Sequence, residues 1–187
     1  FAEIARLQAA GAASELVAIM TSAAQGLERA GAAAIMICAN TMHSVAPDIE
    51  ATVGIPLIHV IDATSRALEI ARCRRPALLA TRYTMEHAFY RHRLARNGCL
   101  SPVIPDQQGR LTISHIIFDE LCRGIVRPSS RASCLREVDR LRSHGIDSVI
   151  LGCTELTLLL SQDDFDLPVF DTTKIHVKAG LDFAISD

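Results

Sequence analysis

The chain has 187 residues, 49% of them hydrophobic and 21% charged, with a formal net charge of −2. Such a balance suits a folded globular chain of one domain or two small ones, and with only two Tyr and six Phe it gives no electrostatic case for nucleic acid. No apolar run reaches the length of a membrane span and no signal peptide stands out. The cysteines Cys38, Cys73, Cys99, Cys122, Cys134 and Cys153 show neither C-x-x-C spacing nor a paired Cys/His cluster, so the expectation is reduced thiols in the cytoplasm, with no metal site.

Residues 1–7 and 15–29 carry apolar side chains at helical spacing, with Gly11 between them and Gly31 as a stop signal. The chain begins on this helical pattern with no strand before it, so a first strand is expected upstream of Phe1. Residues 33–39 form a continuous apolar run of strand length, followed by Asn40-Thr41 and a helix over 42–51. A strand at 55–61 and a helix at 63–73 come next. Residues 76–80 read as a strand that runs into Thr81-Arg82-Tyr83-Thr84, where either threonine can cap a helix over 85–96 closed by Asn97-Gly98. A short strand at 100–104, a loop at 105–109 and helices at 111–123 and 130–144 follow. The spacing then predicts a strand at 149–151, a helix over 155–160, and a last strand near 167–172 leading into a helix that ends near Ile185.

Nearly all-apolar strands alternating with helices imply parallel sheets covered on both faces, in which ligands bind beyond the carboxyl ends of the strands. Residues 31–41 also align without a gap on residues 145–155, and each copy is followed by a proline-led strand, at Pro56 and Pro168. The fold expected is therefore α/β, with two pseudo-symmetric halves, each a parallel sheet flanked by helices, and an active-site cleft between them. Residues 1–75 with 167–187 are expected to form the first lobe, and 76–166 the second.

The stretch that concentrates chemistry is Leu151-Gly152-Cys153-Thr154-Glu155. Gly152 allows close approach of the backbone, Thr154 can cap a following helix, and a thiol at a helix start is expected to have its pKa drawn below the ordinary value of about 8.5. Most cysteines are small core hydrophobes, but the polar setting of Cys153 is not one a core residue needs. In the repeat alignment Cys153 lies opposite Ala39, and Cys38 lies opposite Gly152. Side chains alternate along a strand, so Cys38 is expected to be structural rather than a second catalytic thiol, and the site to be lopsided.

Four motifs in order, Cys38 to His43 (CANTMH), Leu79 to Glu86 (LATRYTME), Leu151 to Leu156 (LGCTEL) and Pro168 to Thr172 (PVFDT), resemble the aspartate/glutamate racemase family, and most closely its aspartate racemase branch. The resemblance runs over essentially the whole chain. It implies an isomerase that needs neither pyridoxal phosphate nor a metal, often a homodimer, with an acidic amino acid as its small-molecule substrate. It also implies that one cysteine removes the α-proton and another, on the opposite face, returns one. Cys153 matches the second of these, whereas Ala39 occupies the position of the usual first base, with Cys38 beside it as the other candidate. Asn40, Thr41, Thr81, Thr84, Thr154 and Glu155 match the substrate-binding positions.

Racemisation is expected to be weak or one-sided, because Ala39 has no proton to give. Two rival readings are a degenerate relative that binds acidic metabolites and a one-cysteine enzyme such as a decarboxylase. Among other polar residues, His43 is expected to pack or cap, His176 to lie near the second half's cleft or be structural, and Asp62 and Asp171 to cap, with orienting a turn or holding the substrate ammonium as their alternatives. Lys174 and Arg82 are candidates to contact a side-chain carboxylate.

Overall fold

The structure, a computed structural model, describes residues 2–96 and 102–186. It forms an α/β chain of two compact units, one comprising Phe1–Ile37 and Met42–His59, the other Cys38–Thr41 and Val60–Asp187.

In the first unit, α1 (Ala2–Ala9) and α2 (Ala13–Arg29) precede β1 (Ile35–Met36), which pairs in parallel with β2 (Leu57–Ile58). The predicted 42–51 helix is a 3-10 turn, Thr41–Val45, followed by α3 (Ala46–Glu50). Pro47 in the first turn of α3 has no N–H to carry the earlier turn into it as a continuous α-helix. Leu7, Leu16, Ala24, Ile35, Ile37, Met42, Val45 and Ile49 make the core.

The second unit holds a three-stranded parallel sheet, β3 (Pro76–Leu79), β4 (Ser148–Leu151) and β5 (Val169–Asp171), in the order β3-β4-β5. Leu79 pairs with Leu151, and Leu151 with Asp171, so the three carboxyl ends lie level. Its helices are α4 (Val60–Ile70), α5 (Arg82–Glu86), α6 (Ala88–Arg96), α7 (Gln107–His115), α8 (Pro128–Leu141) and α9 (Thr172–Ile185).

Alternation along the strands divides the core in two. Ala77, Leu79, Val149 and Leu151 pack with Ile113 of α7 and Cys134 and Val138 of α8, while Leu78, Ala80 and Ile150 pack with Ile61 and Leu68 of α4 and Tyr90 and Leu94 of α6. Neither face of β3 or β4 reaches water, which is why these strands read as unbroken apolar runs. Full burial of each Leu or Ile contributes about 1.5–3 kcal/mol.

Several boundaries differ from expectation. Residues 60–75 and 167–187, assigned from sequence to the first lobe, belong to the second unit, because β5 pairs with β4 and α9 packs on α4. The predicted 85–96 helix is broken at His87, whose backbone is extended, and Thr81 is the threonine that caps, accepting from the Thr84 N–H. Asp106 caps α7 by accepting from the Gly109 N–H at 2.8 Å, so that helix starts inside the expected loop. Beyond α7 the chain widens into a π turn (Ile116–Glu120) and then tightens into a 3-10 turn (Leu121–Arg123) that Gly124 ends at φ +73°. The predicted 100–104 strand survives as a bridge from Val103 to Ala77, whereas Leu100, Ser101 and the Asn97-Gly98 stop lie outside the described residues. The helix expected over 155–160 is a 3-10 turn, Thr154–Leu158.

Candidate functional site

Because β3, β4 and β5 are parallel and in level register, the segments that leave them converge on one edge of the sheet. They are Ala80-Thr81, Gly152-Cys153-Thr154 and Thr172, and Cys38–Thr41 belongs to the same unit. Gly152 sets how closely the middle segment approaches β3. Its N–H donates to the Leu79 carbonyl at 2.8 Å, and a Cβ on it would stand 2.8 Å from Leu78 Cδ1, 3.2 Å from Ala80 Cβ and 3.3 Å from Leu79 O.

Cys153 follows with 7% of its surface exposed, and it joins the core cluster on the α7/α8 face. Its Sγ donates to Glu155 Oε2 at 3.0 Å, the oxygen that also accepts from Thr154 Oγ1 at 2.6 Å. The thiol therefore has a polar anchor inside apolar packing. The expected lowering of its pKa does not occur. No α-helix starts here, Thr154 caps nothing and is tied to Glu155, and both burial and the adjacent carboxylate push the thiol well above its ordinary value. For Glu155, burial pulls the carboxyl upward, but the hydrogen bonds from Cys153 and Thr154 outweigh it and leave the group more acidic than usual. The resting pair is thus a thiol and a carboxylate. Cys122, exposed on the 121–123 turn that packs against the 154–158 turn, is pushed up by its partial burial and then by the Glu155 charge. Its sequence position gave no sign of this proximity.

Asn40 is 7% exposed, and its Nδ2 donates to Thr172 Oγ1 at 3.0 Å. The orientation of the amide follows from the next link in the chain. Thr172 gives its only hydroxyl hydrogen to the Leu151 carbonyl at 2.8 Å, so toward Asn40 it can only accept. Asn40 Oδ1 is thereby turned away, buried and without a protein partner.

Thr41, Thr81 and Thr84 form a triangle of hydroxyls, with Thr41 2.8 Å from Thr84, Thr81 3.1 Å from Thr84 and Thr41 3.4 Å from Thr81. Each hydroxyl carries one rotatable hydrogen, so the three can donate around the ring or turn toward an anion.

The structure thus gathers the sequence-derived candidates into two groups, Asn40, Thr41, Thr81 and Thr84, and Cys153, Thr154 and Glu155. Thr172, which sequence reasoning did not select, links Asn40 to the end of β4; its place after Asp171 in the second proline-led strand was the available signal. Cys38 and Ala39 are both exposed. Cys99 lies outside the described residues.

The remaining polar candidates have other partners. Asp62 takes a two-pronged ion pair from Arg93 at 2.8 and 2.7 Å, and Asp171 caps α9 by accepting from the Thr173 and Lys174 N–H groups. Lys174 reaches back to Asp171 at 3.7 Å, and Arg82 pairs with Glu86 at 3.8 Å. His43 is buried against His59 with ring centroids 4.4 Å apart, and His176 is buried on α9. Among the described residues no group of three or more His, Cys, Asp or Glu is placed to hold a metal, and no helix is long and apolar enough to cross a membrane.

Comparison with known proteins agrees with this architecture. A family model described as Asp/Glu/Hydantoin racemase matches residues 1–180. A crystal structure of a Yersinia pestis protein provisionally described as an Asp/Glu racemase is 43% identical and superposes with a TM-score of 0.92 over 100% of this chain and 81% of that one. The aspartate racemase homologue PH1733 of Pyrococcus horikoshii OT3 is 36% identical, with a TM-score of 0.82 over 91% of this chain and 74% of its own. Among curated sequences, the broad-specificity amino-acid racemase RacX of Bacillus subtilis is 22% identical over 159 residues, 83% of this chain and 66% of RacX.

Proposed function

The chain belongs to the Asp/Glu/Hydantoin racemase family and is an isomerase of its pyridoxal-phosphate-independent kind, and from that premise we propose that it moves the α-proton of aspartate, glutamate or both through Cys153. One observation carries this reading. A buried thiol at the carboxyl end of the central strand is hydrogen-bonded to a carboxylate at 3.0 Å, an arrangement that a purely apolar core position does not require.

The other candidates take complementary parts. Asn40 Oδ1, a buried acceptor already aimed by Thr172, suits the substrate ammonium. The hydroxyls of Thr41, Thr81 and Thr84 suit a carboxylate, and by offsetting charge as the α-proton leaves they lower the barrier electrostatically. Thr154 and Glu155, matched to substrate positions in the sequence, act here on Cys153 instead, since the Thr154 hydroxyl and one Glu155 oxygen are taken up in that contact.

Proton transfer is lopsided. Ala39 offers no acid or base, and a positioned one contributes on the order of 10²- to 10⁴-fold. Cys153 rests as a thiol, so thiolate is scarce at neutral pH and the exchange it drives rises with pH. Exchange of the α-proton for solvent deuterium therefore outruns inversion. The test is α-deuterium incorporation into L- and D-aspartate and L- and D-glutamate in D₂O, followed by NMR, for the wild type and Cys153→Ala. Unchanged exchange in the variant removes the assignment.

The exposed Ala39 and the protonated thiol also favour a second reading, a relative that binds acidic metabolites without turning them over. No exchange on any of the four compounds, with binding retained by calorimetry, selects it.

A further inference from the structure

Cys153 is nearly closed to solvent, yet a group that gives or takes a proton at each turnover must be able to recover its starting state from water. Its sulfur donates to Glu155 Oε2, and that oxygen is fixed in turn by Thr154 Oγ1. Glu155 itself is half-buried, so the side chain that holds the enclosed sulfur is also the one with access to solvent. Among the described residues, the titratable groups whose charge Cys153 feels are Glu155 and the exposed Cys122 of the neighbouring turn. No cation is among them to stabilise a lasting thiolate.

We propose that Glu155 is a positioning residue for Cys153, holding the thiol hydrogen in place and passing a proton between the sulfur and water. The inference rests on the reading of Cys153 as the proton carrier. When Cys153 has given its proton to carbon, a thiolate is left 3.0 Å from the position of a carboxylate oxygen, and the two negative charges repel. The carboxylate takes a proton from the solvent, an O–H bond forms, and that bond breaks as the S–H bond forms. The carboxylate is regenerated, and the net change is thiolate plus one solvent proton giving thiol. The reverse sequence clears the thiol and leaves the base. Neither direction needs an oxidant, a metal or a co-substrate.

The experiment compares wild type, Glu155→Gln, Glu155→Asp and Cys153→Ala by two readouts. One is the pH dependence of Cys153 alkylation by iodoacetamide, resolved by peptide mass spectrometry; the other is α-deuterium incorporation into aspartate and glutamate. In Glu155→Gln the repelling charge is gone, so the alkylation midpoint falls by about one pH unit or more. Exchange nevertheless slows about tenfold or more, because the proton route is gone although thiolate is commoner. Glu155→Asp keeps the charge with a shorter reach; its midpoint stays near that of the wild type while exchange slows, and it carries the test if the Gln variant is unstable.

A carboxylate that only packs and repels would lower the Gln midpoint without slowing exchange, so full-rate exchange in Glu155→Gln overturns the proposal; so does an unmoved midpoint, which would show that the carboxylate does not act on the sulfur. If Cys153→Ala still exchanges, the assignment of Cys153 is what fails; if it is silent while Glu155→Gln exchanges at full rate, only the role of Glu155 fails.

Discussion

Thr172 joins Asn40 to the end of β4, accepting from the Asn40 amide at 3.0 Å and donating to the Leu151 carbonyl at 2.8 Å. Thr172 is fully buried, so both bonds are made away from water, and each partner it serves would be stranded without it. Thr172→Val keeps the shape and deletes both bonds. It is expected to cost about 1–3 kcal/mol per stranded group, read by chemical denaturation, whereas Thr172→Ser should stay near the wild type. Freed of its acceptor, the Asn40 amide loses its fixed orientation, so aspartate or glutamate should bind more weakly to the Val variant at temperatures where it remains folded.

Gly152 admits no side chain without movement. An alanine methyl would meet Leu78 Cδ1, which can swing aside, but also Ala80 Cβ and the Leu79 carbonyl, which cannot. Gly152→Ala should destabilise by about 1–3 kcal/mol through overpacking. The displaced segment carries Cys153, so loss of α-proton exchange beyond the loss of folded protein is the expected kinetic result. A variant with wild-type stability would show that the contact relaxes freely.

Ala39→Cys places a thiol at the position that the repeat alignment sets opposite Cys153. Chiral chromatography of the products should show inversion rising relative to deuterium exchange, by on the order of 10²-fold for a well-positioned acid. An unchanged ratio would count against that register.

Stability should fall in alkali. Burial, followed by the charges of Glu137 and Glu120, pushes the Cys134 thiol up to about 12, and Cys153 is raised as well. Thiols of the unfolded chain ionise near about 8.5. Below that value both states are protonated and the stabilisation is fully present. Above it the unfolded chain releases protons that the folded chain keeps, and stability is lost as pH rises toward the folded pKa. Each such thiol contributes a slope of about 1.4 kcal/mol per pH unit. Urea denaturation between neutral pH and pH 10 should show the decline, and Cys134→Ala should be less steep by one such step.

Much of this was legible in the chain itself. Unbroken apolar runs at 76–80 and 149–151 announced strands buried on both faces, and the gapless match of residues 31–41 to 145–155 announced similar halves, each with its left-handed glycine, Gly31 at φ +87° and Gly145 at φ +70°. Local bonding rules located the Thr81 cap within two choices and marked Gly152 as a point of close backbone approach, whereas its neighbours there, Leu78, Leu79 and Ala80, lie on or just after another strand. The ionisation of Cys153 was misjudged because the strand-to-helix pattern at 149–160 does not distinguish an α-helix from a five-residue 3-10 turn, and that difference determines whether a dipole is available.

What sequence alone determined was the alternation of strand and helix, the motifs at strand ends and the pairing of Ala39 with Cys153 in the repeat alignment, because these depend on residue type and spacing. Only tertiary structure decided that β5 joins the sheet of β3 and β4 and α9 packs on α4, that Thr172 orients Asn40, that Glu155 holds the thiol, and that the turn carrying Cys122 packs against the 154–158 turn. These relationships link residues far apart in the chain or depend on the path of a single turn, and no local pattern encodes the distance between two side chains that meet only after folding.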